Sequence, residues 1–144
     1  MPSRVIFVPA VLAILVVTPA LAAQRVMITG ASPSAVIVAM HKRLSSQGFR
    51  LEDSSKKQAQ FALDRGMVSQ TSGSGLVRSV PVILELHVRF KEKGDSLQVD
   101  AYEEAVGDRG NHQFEFRKRV QSPAEVSSMQ QLLEAVKAEL EASP

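Results

Sequence analysis

Apolar and polar residues alternate strictly in the middle of the chain. Apolar side chains occupy every second position from Val80 to Phe90, and the later positions between them hold Glu85, His87 and Arg89. Since successive side chains of a strand point to opposite faces, this spacing predicts a long strand with one buried face and one wetter face.

Shorter alternating runs predict five further strands. Turns around Gly94 and at residues 107–111 are short enough for an antiparallel meander. We expect a bend at Gly66, and a flexible connection over the Ser- and Gly-rich residues 69–79. The apolar positions of these strands are Val26 and Ile28, Phe49 and Leu51, Ala59, Phe61 and Leu63, Leu97, Val99 and Ala101, and Phe114 and Phe116.

The last part of the chain changes to a helical period. Ser122 is a good N-cap, Pro123 fits the first helical position, and Glu125 stands where a capping box needs it. Apolar residues then recur at intervals of three and four, which predicts an amphipathic helix from Pro123 to Ala142 with one buried face. That face consists of Val126, Met129, Leu132, Leu133, Val136 and Leu140.

An earlier helix repeats the same start signal at Ser32 and Pro33. Gly48 marks its predicted end because glycine tolerates the left-handed conformation that often follows a helix. The expected buried positions are Val36, Ile37, Met40 and Leu44.

The elements follow the order β-α-β-β-β-β-β-α, which predicts an α+β domain. We expect a curved antiparallel sheet covered by the long C-terminal amphipathic helix. This pattern resembles the helix-grip folds, on four segments: Leu44-x-x-x-Gly48-Phe49-x-Leu51, the run from Val80 to Phe90, Leu97-x-Val99 after the Gly94 turn, and Gln131-Leu132-Leu133-x-x-Val136. The alternative architecture is a cystatin-like sheet wrapped on the first helix.

The pattern is also similar to domains of bacterial envelope accessory proteins, such as the outer-membrane assembly accessory lipoproteins. That resemblance implies a role in protein contacts. Those proteins carry a lipidated cysteine, whereas this chain contains no cysteine. The same lack excludes disulfides, thiol nucleophiles and thiolate metal sites.

The N-terminal residues have the features of a secretory signal peptide. Arg4 precedes an apolar run from Val5 to Val17, and Ala20-Leu21-Ala22 offers the small side chains of a cleavage site. We therefore expect a signal peptide at 1–22 and a single domain at 23–144, located in the periplasm or secreted, without stable membrane insertion after cleavage.

The charge is nearly balanced. The formal net charge is +2, of which Arg4 supplies one unit, and both signs are interspersed along the rest of the chain. This balance gives no electrostatic reason to expect nucleic acid as a partner.

Candidate chemistry is sparse. Glu85, His87 and Arg89 share one face of the predicted strand, where a histidine beside a carboxylate is able to act as a general base. A solvated strand face explains the same trio, and no nucleophile or oxyanion motif accompanies it. His112 lacks a second ligand at a suitable spacing. We therefore expect no catalytic residues, no metal site, no cofactor and no enzymatic activity.

Two further groups are candidates for binding. Arg117 and Arg119 share a strand face that is suited to a partner or an anion. Leu133, Val136 and Met129 would line a cavity if one remains beneath the last helix. The sequence thus favours a non-catalytic envelope module that binds another protein, and the alternative is a carrier of a small apolar ligand.

Overall fold

Six strands and two helices follow one another in the predicted order. They come from a computed structural model that describes residues 23–71 and 73–142. The predicted signal peptide at 1–22 lies outside the described residues. In chain order, the elements are β1 (Gln24–Thr29), α1 (Pro33–Ser45), β2 (Arg50–Ser54), β3 (Gln58–Thr71), β4 (Val77–Lys93), β5 (Ser96–Gly107), β6 (Phe116–Arg119) and α2 (Pro123–Ala142).

The strands form one antiparallel, curved and open sheet, which confirms the predicted α+β class. Its strand order is β2-β3-β4-β5-β1, and β6 also pairs with β5. One edge of β5 pairs with β4 along its whole length. The opposite edge of β5 pairs with β1 at residues 96–101 and with β6 at residues 104–107. The register of β3 shifts between Asp64 and Met67, where Gly66 has a φ of +82°, so the expected bend is present as a β-bulge.

Local signals determine where α1 begins and ends. The Ser32 hydroxyl accepts a hydrogen bond from the Ala35 amide at 3.2 Å. After the last helical turn, Gly48 has a φ of +92° and the amide of buried Phe49 donates back to the carbonyl of Leu44. The helix itself ends at Ser45, and Gly48 belongs to the turn that follows it.

The bounds of α2 are those that the sequence predicts. Ser122 Oγ accepts from the Glu125 amide at 3.4 Å and donates to the Glu125 carboxylate at 2.6 Å. Met129, Leu133 and Val136 are buried. No helix in the described residues is long and apolar enough to cross a membrane.

Both helices contribute to one hydrophobic core on the same face of the sheet. The fully buried side chains include Met40 of α1 and Leu133 of α2, together with Ile28, Phe61 and Leu86 from three strands. The opposite face, here called the outer face, carries Glu85, His87 and Arg89 of β4 and Gln98, Asp100, Tyr102 and Glu104 of β5.

Two local expectations are wrong. Residues 69–71 and 77–79 belong to paired strands, so the predicted flexible connection shrinks to the tip of a long β3–β4 hairpin. Phe114 does not open a strand, because its amide and that of Glu115 donate to the Asn111 carbonyl and close a turn. The strand begins at Phe116, and Phe114 is 51% exposed.

An aromatic side chain of β6 packs closely over a glycine of β5. Phe116 pairs with Gly107, and a Cβ atom at Gly107 would overlap the Phe116 ring. The missing side chain of the glycine thus makes room for the ring of its cross-strand neighbour.

Candidate functional site

The outer face of the sheet brings three of the predicted site residues together. Glu85 and His87 lie two residues apart on β4, and Arg117 reaches them from β6. Glu104 of β5 is the direct cross-strand neighbour of Glu85. Alternation along β4 and β5 places these side chains on one face, so the cluster is a product of strand register.

Glu85 is the centre of this cluster. Its side chain is only 2% exposed, although the sequence pattern places it on the wetter face. Arg117 Nη1 donates to Glu85 Oε2 at 2.8 Å, Arg109 Nη1 donates to Oε1 at 3.2 Å, and His87 Nε2 lies 3.0 Å from Oε2. The carboxylate is therefore buried beneath its own cationic partners.

Electrostatics keep this carboxylate ionised. Burial raises the pKa of Glu85. The hydrogen bonds from Arg117 and Arg109, together with the charge interactions with Arg117 and His87, outweigh this effect and hold the pKa below its ordinary value. Hydrogen bonds to Glu85 and Glu104 raise the pKa of Arg117, although its partial burial opposes the rise.

The ion pairs extend beyond Glu85. Arg109 Nη1 also lies 2.8 Å from Glu52 Oε1, and Arg117 Nη1 lies 3.1 Å from Glu104 Oε2. The His87 ring stacks on the Tyr102 ring at a centroid distance of 4.8 Å. The Arg119 guanidinium also contacts the Tyr102 ring, at 3.7 Å from its centroid. The cluster is thus a network that joins β2, β4, β5, β6 and the turn after β5.

One group of three residues has the composition of a metal site. Glu85, His87 and Glu104 each offer a ligand atom, and these atoms lie within 4.8 Å of one another. However, Arg117 Nη1 is hydrogen bonded to Oε2 of both glutamates, and therefore supplies the positive charge that a cation would otherwise bring. The geometry is that of an ion-pair network.

Sequence reasoning found part of this network. The two residues that it missed on β5, Tyr102 and Glu104, continue the alternation of the polar positions Gln98 and Asp100, which was a usable signal. Arg109 lies in a turn, where no periodicity indicates which face a side chain will cover. Arg89 lies farther along β4, with its guanidinium 6.0 Å from the Tyr102 centroid, outside the contacts of Glu85.

The predicted cavity residues lie in the core. Leu133 and Val136 have no exposed surface and Met129 is 5% exposed. All three pack in the cluster formed by both helices and the sheet. These side chains would be buried in the same way whether the core is filled or encloses a cavity. The cavity therefore stays a prediction.

The edges of the sheet are the second place where binding chemistry is available. Three edge segments are protected against strand pairing. α2 covers β1: Gln130 and Lys137 donate to the carbonyls of Arg25 and Met27, and Glu141 accepts from the Thr29 amide at 3.1 Å. These groups point away from β5, so side chains of α2 satisfy the open edge of β1.

The start of β4 carries two residues that disfavour the addition of another strand, a proline at Pro81 and a charged side chain at Arg78. Pro81 has no N–H, and its carbonyl accepts a hydrogen bond from the Asp108 amide at 2.9 Å. The side chain of Asp108 pairs with Arg78, whose guanidinium also stacks on Phe114 at 4.5 Å. The outer edge of β2 is short, fully exposed and charged, which is another common protection.

The outer half of β3 is different. β2 pairs with β3 only as far as Ala62, so in the described residues no strand pairs with the side of Met67–Thr71 that faces away from β4. Residues 67–77 contain no charged side chain. Met67, Leu76 and Val77 are 63%, 71% and 69% exposed. We call the edge of Met67–Thr71 the open edge.

No protein-family model and no curated protein matches this chain.

Proposed function

We propose that this protein is an exported, non-catalytic binding module of the bacterial cell envelope, and that it binds another envelope protein by adding a strand of that partner to the open edge. The observation that carries the proposal is the contrast between this edge and the protected ones. An unpaired strand edge presents a row of main-chain donors and acceptors, and the group that complements them is another extended main chain.

The chemistry of the open edge also indicates the kind of strand. Edge strands are commonly defended by lysine, proline or a bulge, and Met67–Thr71 contains none of these. Exposed Met67 and Val68 provide apolar contacts beside the main chain. An uncharged, partly apolar strand is therefore the expected partner segment.

The Glu85 cluster supports the non-catalytic part of the proposal. A general base needs a nitrogen or oxygen that is free to take a proton from a substrate. Here the Nε2 atom of His87 faces two carboxylates, at 3.0 and 3.6 Å, and Glu85 is held by two arginines. The groups neutralise one another and tie β6 to the sheet.

The export part rests on the sequence of residues 1–22 and on the resemblance to envelope accessory domains. Carriage of a small apolar ligand beneath α2 stays the alternative. It predicts that a lipid-like molecule accompanies the purified protein, whereas the proposal predicts a protein partner.

Site-specific photo-crosslinking in the host organism tests the proposal. A photoreactive amino acid at Ser69 on the open edge should give a discrete crosslink to another protein in the periplasmic fraction. The matched control is the same amino acid at exposed Ser127 on α2, which should give none.

A charge at the edge provides the second control. Val68→Lys, 41% exposed on β3, should abolish the crosslink from position 69, because lysine blocks strand addition. Val38→Lys, 66% exposed on α1, should leave it intact. A crosslink that survives Val68→Lys, arises only from position 127, or joins two copies of this chain would overturn the proposal.

A further inference from the structure

The outer face carries a second polar site, nearer the C-terminal end of β4 than the Glu85 cluster. It is a surface pocket of about 330 Å³. Cross-strand register builds it, since Arg89 lies between Gln58 of β3 and Asp100 of β5, and Lys91 is opposite Gln98. The lining residues are Lys57, Gln58, Arg89, Phe90, Lys91, Gln98 and Asp100.

The negative charge in this pocket is already neutralised. Asp100 accepts from Arg25 Nε at 2.6 Å and from Arg25 Nη2 at 3.3 Å. The side-chain amide of Gln98 donates to the same carboxylate at 2.9 Å. Asp100 therefore has little capacity left to balance a further cation.

The cations of the pocket have no such partner. Within residues 23–71 and 73–142, no salt bridge is made by Lys57, Arg89 or Lys91. This is the reverse of the Glu85 cluster, where each arginine contacts at least two carboxylates. One end of the outer face is thus internally neutral, and the other has excess positive charge.

Neighbouring charge adds to the excess. Lys93 is fully exposed, and its pKa is lowered mainly by the positive charge of Lys91, with a smaller effect of Arg25. Like charges that disfavour one another in this way are stabilised by a bound anion.

We propose that this pocket binds a phosphate-type dianion, either inorganic phosphate or the phosphomonoester group of a larger molecule, through Arg89, Lys57 and Lys91. A guanidinium offers two parallel N–H donors that match phosphate oxygens, and the ammonium groups add point charges. A phosphomonoester carries roughly −1.5 to −2 at pH 7, which suits three unpaired cations better than a carboxylate does. The amide of Gln58 is a further donor at the rim.

The pocket is a better place for an anion than the β6 arginines that the sequence pointed to. Arg117 lies within 4 Å of Glu85, Glu104 and Glu115, so its charge is taken up inside the protein. Arg89 is a candidate binding residue of the sequence analysis and lines this pocket. Lys57 and Lys91 come from positions that no sequence motif connects with it. This proposal does not depend on strand addition at the open edge.

Titration with inorganic phosphate, followed by NMR, tests the site. The side-chain resonances of Arg89 Nε–H and of the Gln58 and Gln98 amides should shift in a saturable way, and the affinity should fall steeply with added NaCl. Arg89→Gln should weaken binding by about 10-fold or more, because a charged hydrogen bond is lost. The matched control is Lys42→Gln, a lysine on exposed α1 surface, which should bind as the unmodified protein does.

A second arm identifies the source of the phosphate group. Vesicles of phosphatidylcholine with and without phosphatidic acid are sedimented with the protein. Binding that requires phosphatidic acid and is lost in Arg89→Gln supports the site and indicates a lipid headgroup. Saturable shifts with free phosphate alone support it and indicate a soluble ligand.

Some outcomes would overturn the proposal. These are no response to either probe, or equal responses of Arg89→Gln and Lys42→Gln. Because Arg89 is exposed and forms no salt bridge, Arg89→Gln should keep the thermal unfolding midpoint of the parent. This measurement separates loss of binding from loss of folding.

Discussion

The outward edges of β1 and β3 differ in how their unpaired main-chain groups are covered. On β1, side chains at three positions of α2 take the outward-pointing groups of Arg25, Met27 and Thr29. On the outer half of β3, Met67–Thr71 has neither a covering helix nor a charge. α2, the longer of the two helices in the described residues, therefore closes one edge as well as completing the core. The difference indicates that an exposed edge is avoidable in this fold, and that the open edge is a specific feature of the hairpin.

The largest effect is expected from loosening the covered edge. Leu133→Asp places an unpaired carboxylate in the core, where Leu133 has no exposed surface, and should cost about 3–5 kcal/mol of the free energy of unfolding. Release of α2 should also expose β1 and produce soluble oligomers. Chemical denaturation and size-exclusion chromatography measure both effects.

The matched control for this substitution is the next residue. Glu134 is exposed, and its contact is a hydrogen bond from Gln130, so Glu134→Ala should change stability by less than about 1 kcal/mol. Equal and small effects of the two substitutions would show that α2 is not needed to cover β1.

An intermediate effect is expected where the first turn of α2 meets β5. Burial and, to a smaller extent, the negative charge of Glu125 raise the pKa of Glu103 to about 7, against the opposing charge of Arg65. The folded protein thus retains a proton that the unfolded chain loses near pH 4.5. Stability should therefore fall as the pH rises from about 4.5 through 7, by roughly 1–2 kcal/mol after allowance for partial exposure.

Glu103→Gln tests this pH dependence. The variant should match the parent at pH 5 and exceed it in stability at pH 8, as measured by denaturant unfolding at intervals of one pH unit. Glu134→Gln, on the exposed side of α2, should leave the parent profile unchanged. A parent profile that is flat between pH 5 and 8 would contradict the expectation.

The smallest effect concerns one hydrogen bond at the covered edge. Glu141→Ala removes the acceptor of the Thr29 amide and should increase the rate of hydrogen exchange at Thr29, with little change in the denaturation midpoint. The amides of Met67–Thr71 that point away from β4 should exchange rapidly in both proteins. Slow exchange at those amides would mean that the open edge is covered in solution.

Much of the fold could be predicted because its signals are local. The alternation from Val80 to Phe90 and the caps at Ser32 and Ser122 need only neighbouring residues, and the structure confirms them. The length of the β3–β4 hairpin could not be predicted, because pairing of Thr71 with Val77 overrides the loop-like composition of the segment.

The site was less predictable because its partners come from distant positions. A glutamate on an alternating strand indicates exposure, yet Glu85 is buried by Arg109 from a turn and Arg117 from β6. The unpaired state of Lys57, Arg89 and Lys91 depends on Arg25 neutralising Asp100, a contact between β1 and β5. Such compensation among charges appears only when the register of all the strands is known.

The fit of Phe116 against Gly107 has a consequence for the accuracy of folding. β6 has four residues, and a slip of one position would turn all of its side chains to the opposite face. The Phe116 ring would lose its recess at Gly107, and the buried Glu85 carboxylate would lose Arg117, one of its two arginine partners. A shifted register of β6 would therefore lose two unrelated interactions, the packing of an aromatic ring and a buried ion pair. Together they disfavour the shifted register of this short strand relative to the correct one.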